Sequence, residues 1–179
     1  MRSLERAIAA IEWLFAVIAT LLMLSIMVTV FADVTLRYLF NRPLAWAYDL
    51  ISLYLMAGVY FLVLSGTFAA HAHVGVDILV QQLPAPLRRV CDLLSCLIGI
   101  GLFGLIAWVG AQRAWVNWVS DERISGVIAW PTWVAAALVP LGCGLLMLRL
   151  SYRSAGLLLQ FATGREYVAP LPISGYTAE

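Results

Sequence analysis

The chain has 179 residues, of which 63% are hydrophobic and 12% are charged, with a formal net charge of +1. Together with a mean hydropathy of +0.93, this composition gives more apolar surface than a soluble domain of this size can bury. It excludes a soluble globular domain, and we expect the chain in a lipid bilayer, with no nucleic-acid partner.

Four runs without charged residues are long enough to cross the hydrocarbon core, which needs about 20 helical residues. They are 13–32, 50–70, 93–112 and 124–148. Because backbone polar groups cannot stay unpaired in lipid, runs of this length must be helices. The sequence therefore predicts an all-α integral membrane protein. We place four transmembrane helices at about 11–34, 45–70, 91–115 and 128–150.

These spans form one predicted membrane domain, residues 1–155, followed by a C-terminal tail, 156–179. The stretch after Arg149 shows no apolar periodicity, and we expect it to be mobile. The first run follows Arg2 and Arg6, as in a signal peptide, but it is too long for a typical signal and lacks a convincing cleavage site. We interpret it as an uncleaved first span.

The connection between spans one and two, residues 33–50, concentrates charged, aromatic and turn-forming residues. Asp33 and Arg37 are four residues apart, so they can pair if the helix continues beyond the apolar run. Asn41 and Pro43 then predict its end, because asparagine tolerates a left-handed cap and the residue before proline disfavours helical geometry. The sequence predicts a tight helical hairpin here.

Span two begins directly after this turn, with Trp46 at the interface and Asp49 in the first helical turn, where a carboxylate suits the helix dipole. Exposed ion pairs at such a place contribute under about 1 kcal/mol each. Stability alone does not require so many special residues, so order and recognition are better explanations.

The connection after span two predicts a short amphipathic helix at about 74–83, because its apolar residues recur with helical spacing until two prolines end the pattern. We expect it to lie on the membrane surface or against a neighbour. His73 and Asp77 are one turn apart, and a local ion pair or cap is favoured over a proton relay.

Small residues and prolines mark the packing of spans three and four. Two ridges of small residues predict close helix packing, either within the chain, which we favour, or against a second protein. They are Cys91, Ser95 and Gly99, then Gly104, Ala107 and Ala111. Pro131 suits the first turn of span four, and Pro140 predicts a kink in it.

No candidate for catalysis or cofactor binding emerges. The four uncharged runs contain no ionisable group of the kind that marks an ion or substrate path. The three cysteines lack metal-ligand spacing, and the two histidines lie too close together to be opposed haem ligands. Phosphate-binding and hydrolase motifs are absent from the sequence. We expect no cofactor, no metal and no enzyme.

Orientation follows from arginine, because the chain has no lysine. With four spans, seven arginines fall on the side of the termini and four on the other, which puts both termini in the cytoplasm. The seven are Arg2, Arg6, Arg88, Arg89, Arg149, Arg153 and Arg165, and the four are Arg37, Arg42, Arg113 and Arg123. Five of the seven tryptophans lie near the opposite, outer ends of the spans, which is typical of an anchoring belt and less often of a partner surface.

The stretch "DVTLRYLFNRPLAWAYDL" resembles the small membrane subunit, the Q or DctQ-type component, of tripartite ATP-independent periplasmic (TRAP) transporters. The matching residues are Arg37, Tyr38, Phe40, Asn41, Pro43, Leu44, Trp46 and the acidic Asp49. "HAHVGVD" resembles that family's next segment, with His73, Asp77, Leu83, Pro84, Arg88 and Arg89. "PTW", with Pro131 and Trp133, and "PLG" at 140–142 extend the resemblance over about residues 5–153.

The resemblance implies a bacterial inner-membrane assembly with a periplasmic solute-binding protein and a large membrane subunit carrying sodium and substrate sites. This chain would be a non-catalytic scaffold for the elevator-type large subunit, which takes up an organic acid together with sodium. It would contact membrane lipid, and a direct contact with the binding protein is left open by the resemblance. The matched residues would be structural or subunit-interface positions. Three alternatives are a self-associating small carrier or channel, an anchor subunit of another complex, and a haem-bearing redox subunit.

Overall fold

The structure is a computed structural model that describes residues 2–69 and 84–163. Within these residues the chain is helical and has no β-strand, apart from one isolated bridge between Arg123 and Pro131. Four helical segments are long and apolar enough to cross a membrane. The predicted all-α fold with four transmembrane helices is confirmed. The amphipathic helix predicted at 74–83 lies outside the described residues.

Span one is helix α1, Arg2–Phe40, and its 39 residues extend beyond the predicted 11–34 at both ends. At about 1.5 Å per residue such a helix is about 58 Å long, well beyond the hydrocarbon thickness of about 30 Å. The Asp33–Arg37 pair, four residues apart, supports the turns that follow the apolar run.

Span two consists of three consecutive segments: α2, Ala47–Leu50, a π-helical turn, Ile51–Leu55, and α3, Met56–Ala69. A π-helical turn holds about one residue more than an α-helical turn and therefore rotates the side chains that follow it. The turn contains Tyr54, whose hydroxyl donates a hydrogen bond to the Pro131 carbonyl before span four.

Span three is helix α4, Ala85–Val119. Pro84 precedes it in an extended conformation, and a proline occupies its first turn, where the missing N–H removes no helical hydrogen bond. The chain leaves the helix at Ser120, and Asp121 adopts a left-handed φ of 46°. The loop then returns to span four within 12 residues.

Span four is helix α5, Thr132–Thr163, with Pro140 in its interior. The helix includes residues 156–163, which the sequence analysis assigns to the tail. Its last turns bury one face, at Leu150, Arg153, Leu157 and Gln160. This spacing is helical, but because polar and apolar residues alternate along the buried face, hydropathy does not reveal it.

The main helix contacts place the spans in the spatial order one, two, four, three. Among the described residues, no extensive contact joins span one to span three, so the helices form an open row rather than a closed bundle. The buried core lies where spans two, three and four meet, at Leu64, Cys96, Cys143, Leu146 and Leu150. Span one is an edge helix of this row.

Glycines allow close approach between the central helices. A Cβ at Gly142 of span four would overlap the Phe61 carbonyl of span two, so these two backbones are in contact. On span three, Gly99 faces Leu150 and Gly104 faces Met147, with 3.1 Å and 3.2 Å from an added Cβ to the nearest side-chain atom. The glycines of the two predicted ridges, Gly99 and Gly104, therefore pack within the chain, against span four.

Candidate functional site

The charged residues of the row collect at its two ends. We call the end formed by residues 33–54 and 118–133 the hairpin end, and the opposite end, with residues 12, 65, 92 and 149–153, the terminal end. The hairpin end contains most of the residues singled out in the sequence. The terminal end contains a buried set of ion pairs.

Span one stops at the hairpin end as its sequence predicts. Asn41 adopts a left-handed φ of 53°, and the Arg42 N–H donates to the Leu36 carbonyl at 3.2 Å. That bond satisfies one of the carbonyls left unpaired at a helix end. Pro43 follows in the exposed turn that leads into span two.

Asp33 links span one to this turn. One carboxylate oxygen accepts a hydrogen bond from Arg37 at 2.5 Å, and the other accepts from the backbone N–H of Leu44 at 2.7 Å. The Asp33 side chain is only 15% exposed, whereas that of Arg37 is 58% exposed. Asp33 therefore holds span one to the hairpin turn, whereas more than half of the Arg37 side chain is exposed.

Asp49 lies in α2, the first turn of span two, as predicted, and faces the loop between spans three and four. Its Oδ2 lies 2.9 Å from the position that a Cβ on Gly126 would occupy. The carboxylate is half-buried, and no partner for it is present among the residues that the structure describes. Asp49 therefore packs against this loop without an ion pair.

Aromatic side chains dominate the remaining surface of the hairpin end. Trp133 packs edge to face on Trp118, with ring centroids 4.6 Å apart, and Trp130 packs on Tyr54 at 5.7 Å. Three other rings of this end are largely uncovered: Tyr38 is 83% exposed, Tyr48 78% and Phe40 65%. Trp46, which lies between Phe40 and Tyr48 in the sequence, is half-buried.

At the terminal end, Glu12 joins three spans. Its Oε1 accepts a hydrogen bond from the Ser65 hydroxyl of span two at 2.6 Å, and its Oε2 lies 3.1 Å from an Arg149 guanidinium nitrogen of span four. Ser65 is 1% exposed, and the Glu12 side chain is 9% exposed. The carboxylate is thus buried inside the protein and neutralised there.

A second buried ion pair joins spans three and four. The Arg153 guanidinium donates two hydrogen bonds to Asp92, at 2.7 Å and 3.3 Å, and both side chains are at most 14% exposed. Two parallel bonds between a guanidinium and a carboxylate are the strongest geometry for such a pair. This pair and the contacts of Glu12 are two separate polar sets, and together they link all four spans through span four.

The structure brings together only part of the predicted site. Asp33, Arg37, Tyr38, Asn41, Pro43, Trp46 and Asp49 lie at the hairpin end with Pro131 and Trp133. Arg88 is half-buried in the first turn of span three, in the half of the row that carries the terminal end. His73 and Asp77 lie outside the described residues.

The ion pairs of the terminal end were not predicted, because their charged residues lie just outside the apolar runs. Glu12 and Asp92 come one residue before a run, and Arg149 one residue after. An acidic residue and an arginine at the same membrane depth, each at the end of a different span, is the sequence signal that could have predicted these pairs. In the described part of the chain, no group of three His, Cys, Asp or Glu side chains is arranged to hold a metal ion.

Known proteins match this chain over most of its length. The family model for the DctQ component of tripartite ATP-independent periplasmic transporters matches residues 26–160. A C4-dicarboxylate TRAP transporter small permease protein, DctQ, of Vibrio cholerae serotype O1 is 28% identical over 173 residues, covering 83% of this chain and 70% of that protein.

The protein of the same name from Rhodobacter capsulatus is 32% identical over 77 residues. That alignment covers 43% of this chain and 34% of the relative. No solved structure matches the chain significantly.

Proposed function

This chain belongs to the family of DctQ components of tripartite ATP-independent periplasmic transporters, and we propose that it is the stationary scaffold of its transporter's large membrane subunit. Its family consists of transporter components and not of enzymes. The four apolar helices and the family together make it a multi-pass protein of the inner membrane. The scaffold role is the function that its geometry supports best.

The open row of helices is the observation that carries the proposal. A closed bundle would bury its packing faces inside, whereas a row leaves two broad helical faces for lipid and for another membrane protein. Apolar side chains are largely uncovered along both edge helices, including Met27 and Phe31 of span one and Leu105 and Trp108 of span three. One face of such a row can bind a large membrane protein while the other face contacts lipid.

The distribution of charge supports a scaffold and not a carrier. Three carboxylates at the edges of the apolar runs are paired within the chain: Asp33 with Arg37, Glu12 with Arg149, and Asp92 with Arg153. Asp49 has no ion pair among the described residues and packs against the loop before span four. A transport site needs charged or polar groups directed at the substrate. The segments 13–32, 93–112 and 132–148 contain no ionisable acid, base or histidine that could serve.

The exposed rings at the hairpin end are the part of this row that best fits the large subunit. Tyr38, Phe40 and Tyr48 are uncovered, and aromatic side chains are enriched at protein interfaces. Arg37 and the half-buried Asp49 place both signs of charge beside them. A direct contact of this end with the solute-binding protein fits the same surface, since the arginine distribution predicts that this end lies in the periplasm and both termini in the cytoplasm.

The substrate class we propose is an organic acid taken up with sodium. The two relatives carry a name that includes C4-dicarboxylate, so small dicarboxylates are the first compounds to test. Substrate choice would belong to the binding protein and the large subunit. The apolar runs of this chain contain no charged group for binding a carboxylate.

Co-purification tests the scaffold proposal. The chain, tagged at its C-terminus, is expressed with the large-subunit gene of the same transporter and isolated in mild detergent. We expect a stable complex with one large subunit, and we expect Tyr48→Ala with Tyr38→Ala to lower its yield more than Trp13→Ala, a ring of similar exposure near the other end. Isolation of the chain alone as a homo-oligomer, with the large subunit absent, would favour the small-carrier alternative instead.

A further inference from the structure

Span one contacts the row through one narrow stripe of side chains. Between residues 6 and 30, every residue that is not exposed belongs to this stripe, and the spacing alternates strictly between four and three. This is the seven-residue repeat of helices that wind around one another with a left-handed twist. The stripe consists of Ile8, Glu12, Phe15, Ala19, Leu22, Ile26 and Thr29.

The stripe carries one acidic residue at each end. Glu12 is in the stripe at the terminal end, and Asp33 continues it at the hairpin end, 21 residues or three heptads later. At about 1.5 Å per residue the two carboxylates are about 32 Å apart along the helix, close to the hydrocarbon thickness of about 30 Å. Each is bonded to a different element: Glu12 to Ser65 and Arg149, and Asp33 to the Leu44 N–H.

The residues between the two acids do not specify the position of span one by themselves. In lipid the exclusion of apolar groups from water does not drive helices together, and contacts depend on packing alone. A stripe of Phe, Ala, Leu, Ile and one Thr can slide by one heptad, about 10 Å, and meet similar neighbours again. A buried polar group at one position of such a stripe is the best-attested device for fixing register.

We propose that Glu12 and Asp33 are positioning residues that together fix the depth and rotation of span one in the row. A slide by one heptad would remove the Glu12 carboxylate from both Ser65 and Arg149 and leave an ionised group and a guanidinium unpaired in an apolar environment. The same slide would pull Asp33 from the Leu44 N–H. Because span one leads directly into the hairpin, its position sets the depth of the exposed rings of that end. This inference concerns the chain itself and does not depend on the proposed transporter role.

Cysteine cross-linking in membranes measures the register directly. In a background with Cys91, Cys96 and Cys143 replaced by alanine, a cysteine at Gly58 is paired with one at Leu22, whose Cδ1 lies 2.5 Å from an added Cβ at Gly58. Pairs of Gly58→Cys with Phe15→Cys or Thr29→Cys report a slide of one heptad in either direction. We expect only the Leu22 pair to form a disulfide in the otherwise unchanged chain.

Two neutral double variants separate register from stability. Glu12→Met with Arg149→Met removes both charges and leaves no hydrogen-bonding group, while Glu12→Gln with Arg149→Gln keeps hydrogen bonding to Ser65. We expect the methionine variant to shift part of the cross-linking to the displaced pairs and the glutamine variant to retain the Leu22 pair. Glu122 is exposed, so Glu122→Gln is the control, and it should change neither the distribution of cross-links among the pairs nor their yield.

The proposal is overturned if the methionine variant cross-links only through Leu22 with unchanged yield, or if the methionine and glutamine variants give the same distribution. A variant with leucine at both positions repeats the comparison with a second apolar side chain, so poor accumulation of the methionine variant does not remove the test. A loss of stability alone would lower all yields together and would not move cross-links between pairs.

Discussion

Asp33 and Arg37 form an ion pair whose spacing is visible in the sequence, but the two side chains contribute differently. Asp33 also accepts the Leu44 N–H and is largely buried, whereas Arg37 is mostly exposed and bonds only to Asp33 among the described residues. The sequence predicts the pair and the left-handed cap at Asn41, because both are local. It does not predict the bond to Leu44, since that bond depends on how the turn folds back.

This difference gives a testable order of stability. Asp33→Ala leaves the part-buried Leu44 N–H without its acceptor and should lower the free energy of unfolding by about 1–3 kcal/mol. Arg37→Ala removes an exposed ion pair and should lower the free energy of unfolding by less than about 1 kcal/mol. If Arg37 contacts the large subunit, its replacement should instead lower the yield of the complex. Thermal unfolding of both variants in detergent checks this, and equal destabilisation by the two would contradict the role given to Asp33.

The Asp92–Arg153 pair should matter more than its place in the sequence suggests. Arg153 lies in the stretch predicted to lack apolar periodicity, yet it is buried and bonded twice to Asp92. Removing one partner of a buried pair leaves the other charge without compensation. Sequence alone could not predict this, because the pair joins residues 61 positions apart through helix packing.

We therefore expect Arg153→Ala to destabilise the chain by about 3–5 kcal/mol. Arg123→Ala is the matched control, because the Arg123–Asp121 pair is exposed and should contribute at most about 1 kcal/mol. The readout is labelling of Cys96 and Cys143 by a thiol dye during heating, since both thiols are at most 2% exposed in the folded state. Equal labelling temperatures for the two variants would show that the buried pair is not required for stability.

At the scale of helices, the number of spans follows from the lengths of the apolar runs. Which spans pack against one another does not follow from them. Nearly every residue of span one is apolar, so its packing stripe has no contrast with its lipid face, and the row order one, two, four, three cannot be deduced. The glycines of span three did predict a close contact, because small residues mark it wherever the partner lies. The partner itself, span four, became known only from the structure.

Span four offers a direct test of this packing through two glycines. Gly142→Ala places a methyl group on the Phe61 backbone and should cost about 1–3 kcal/mol or more, because a carbonyl cannot move aside as a side chain can. Gly144→Ala meets nothing within 4 Å and should be neutral or stabilising by up to about 1 kcal/mol. Unfolding temperatures of the two variants measure the difference. Similar behaviour would mean that spans two and four are not in contact at Gly142.

At the scale of the whole molecule, the arginine distribution predicts which end faces which compartment. Ala45, at the hairpin end, and Ala7, near the N-terminus, are both exposed, and each can be replaced by cysteine without removing a charge. In a chain lacking the native cysteines, a membrane-impermeant maleimide should label Ala45→Cys in intact spheroplasts, and Ala7→Cys only after permeabilisation. The reverse labelling pattern would show that the termini face the periplasm and would contradict the predicted orientation.

The scaffold account states that this chain holds a transporter without transporting anything itself. The most direct measurement is uptake of a radiolabelled C4-dicarboxylate into proteoliposomes under an inward sodium gradient. We expect no accumulation above empty vesicles with this chain alone, and accumulation only when the large subunit and the binding protein are also present. Reproducible accumulation by vesicles that contain this chain alone would contradict the account.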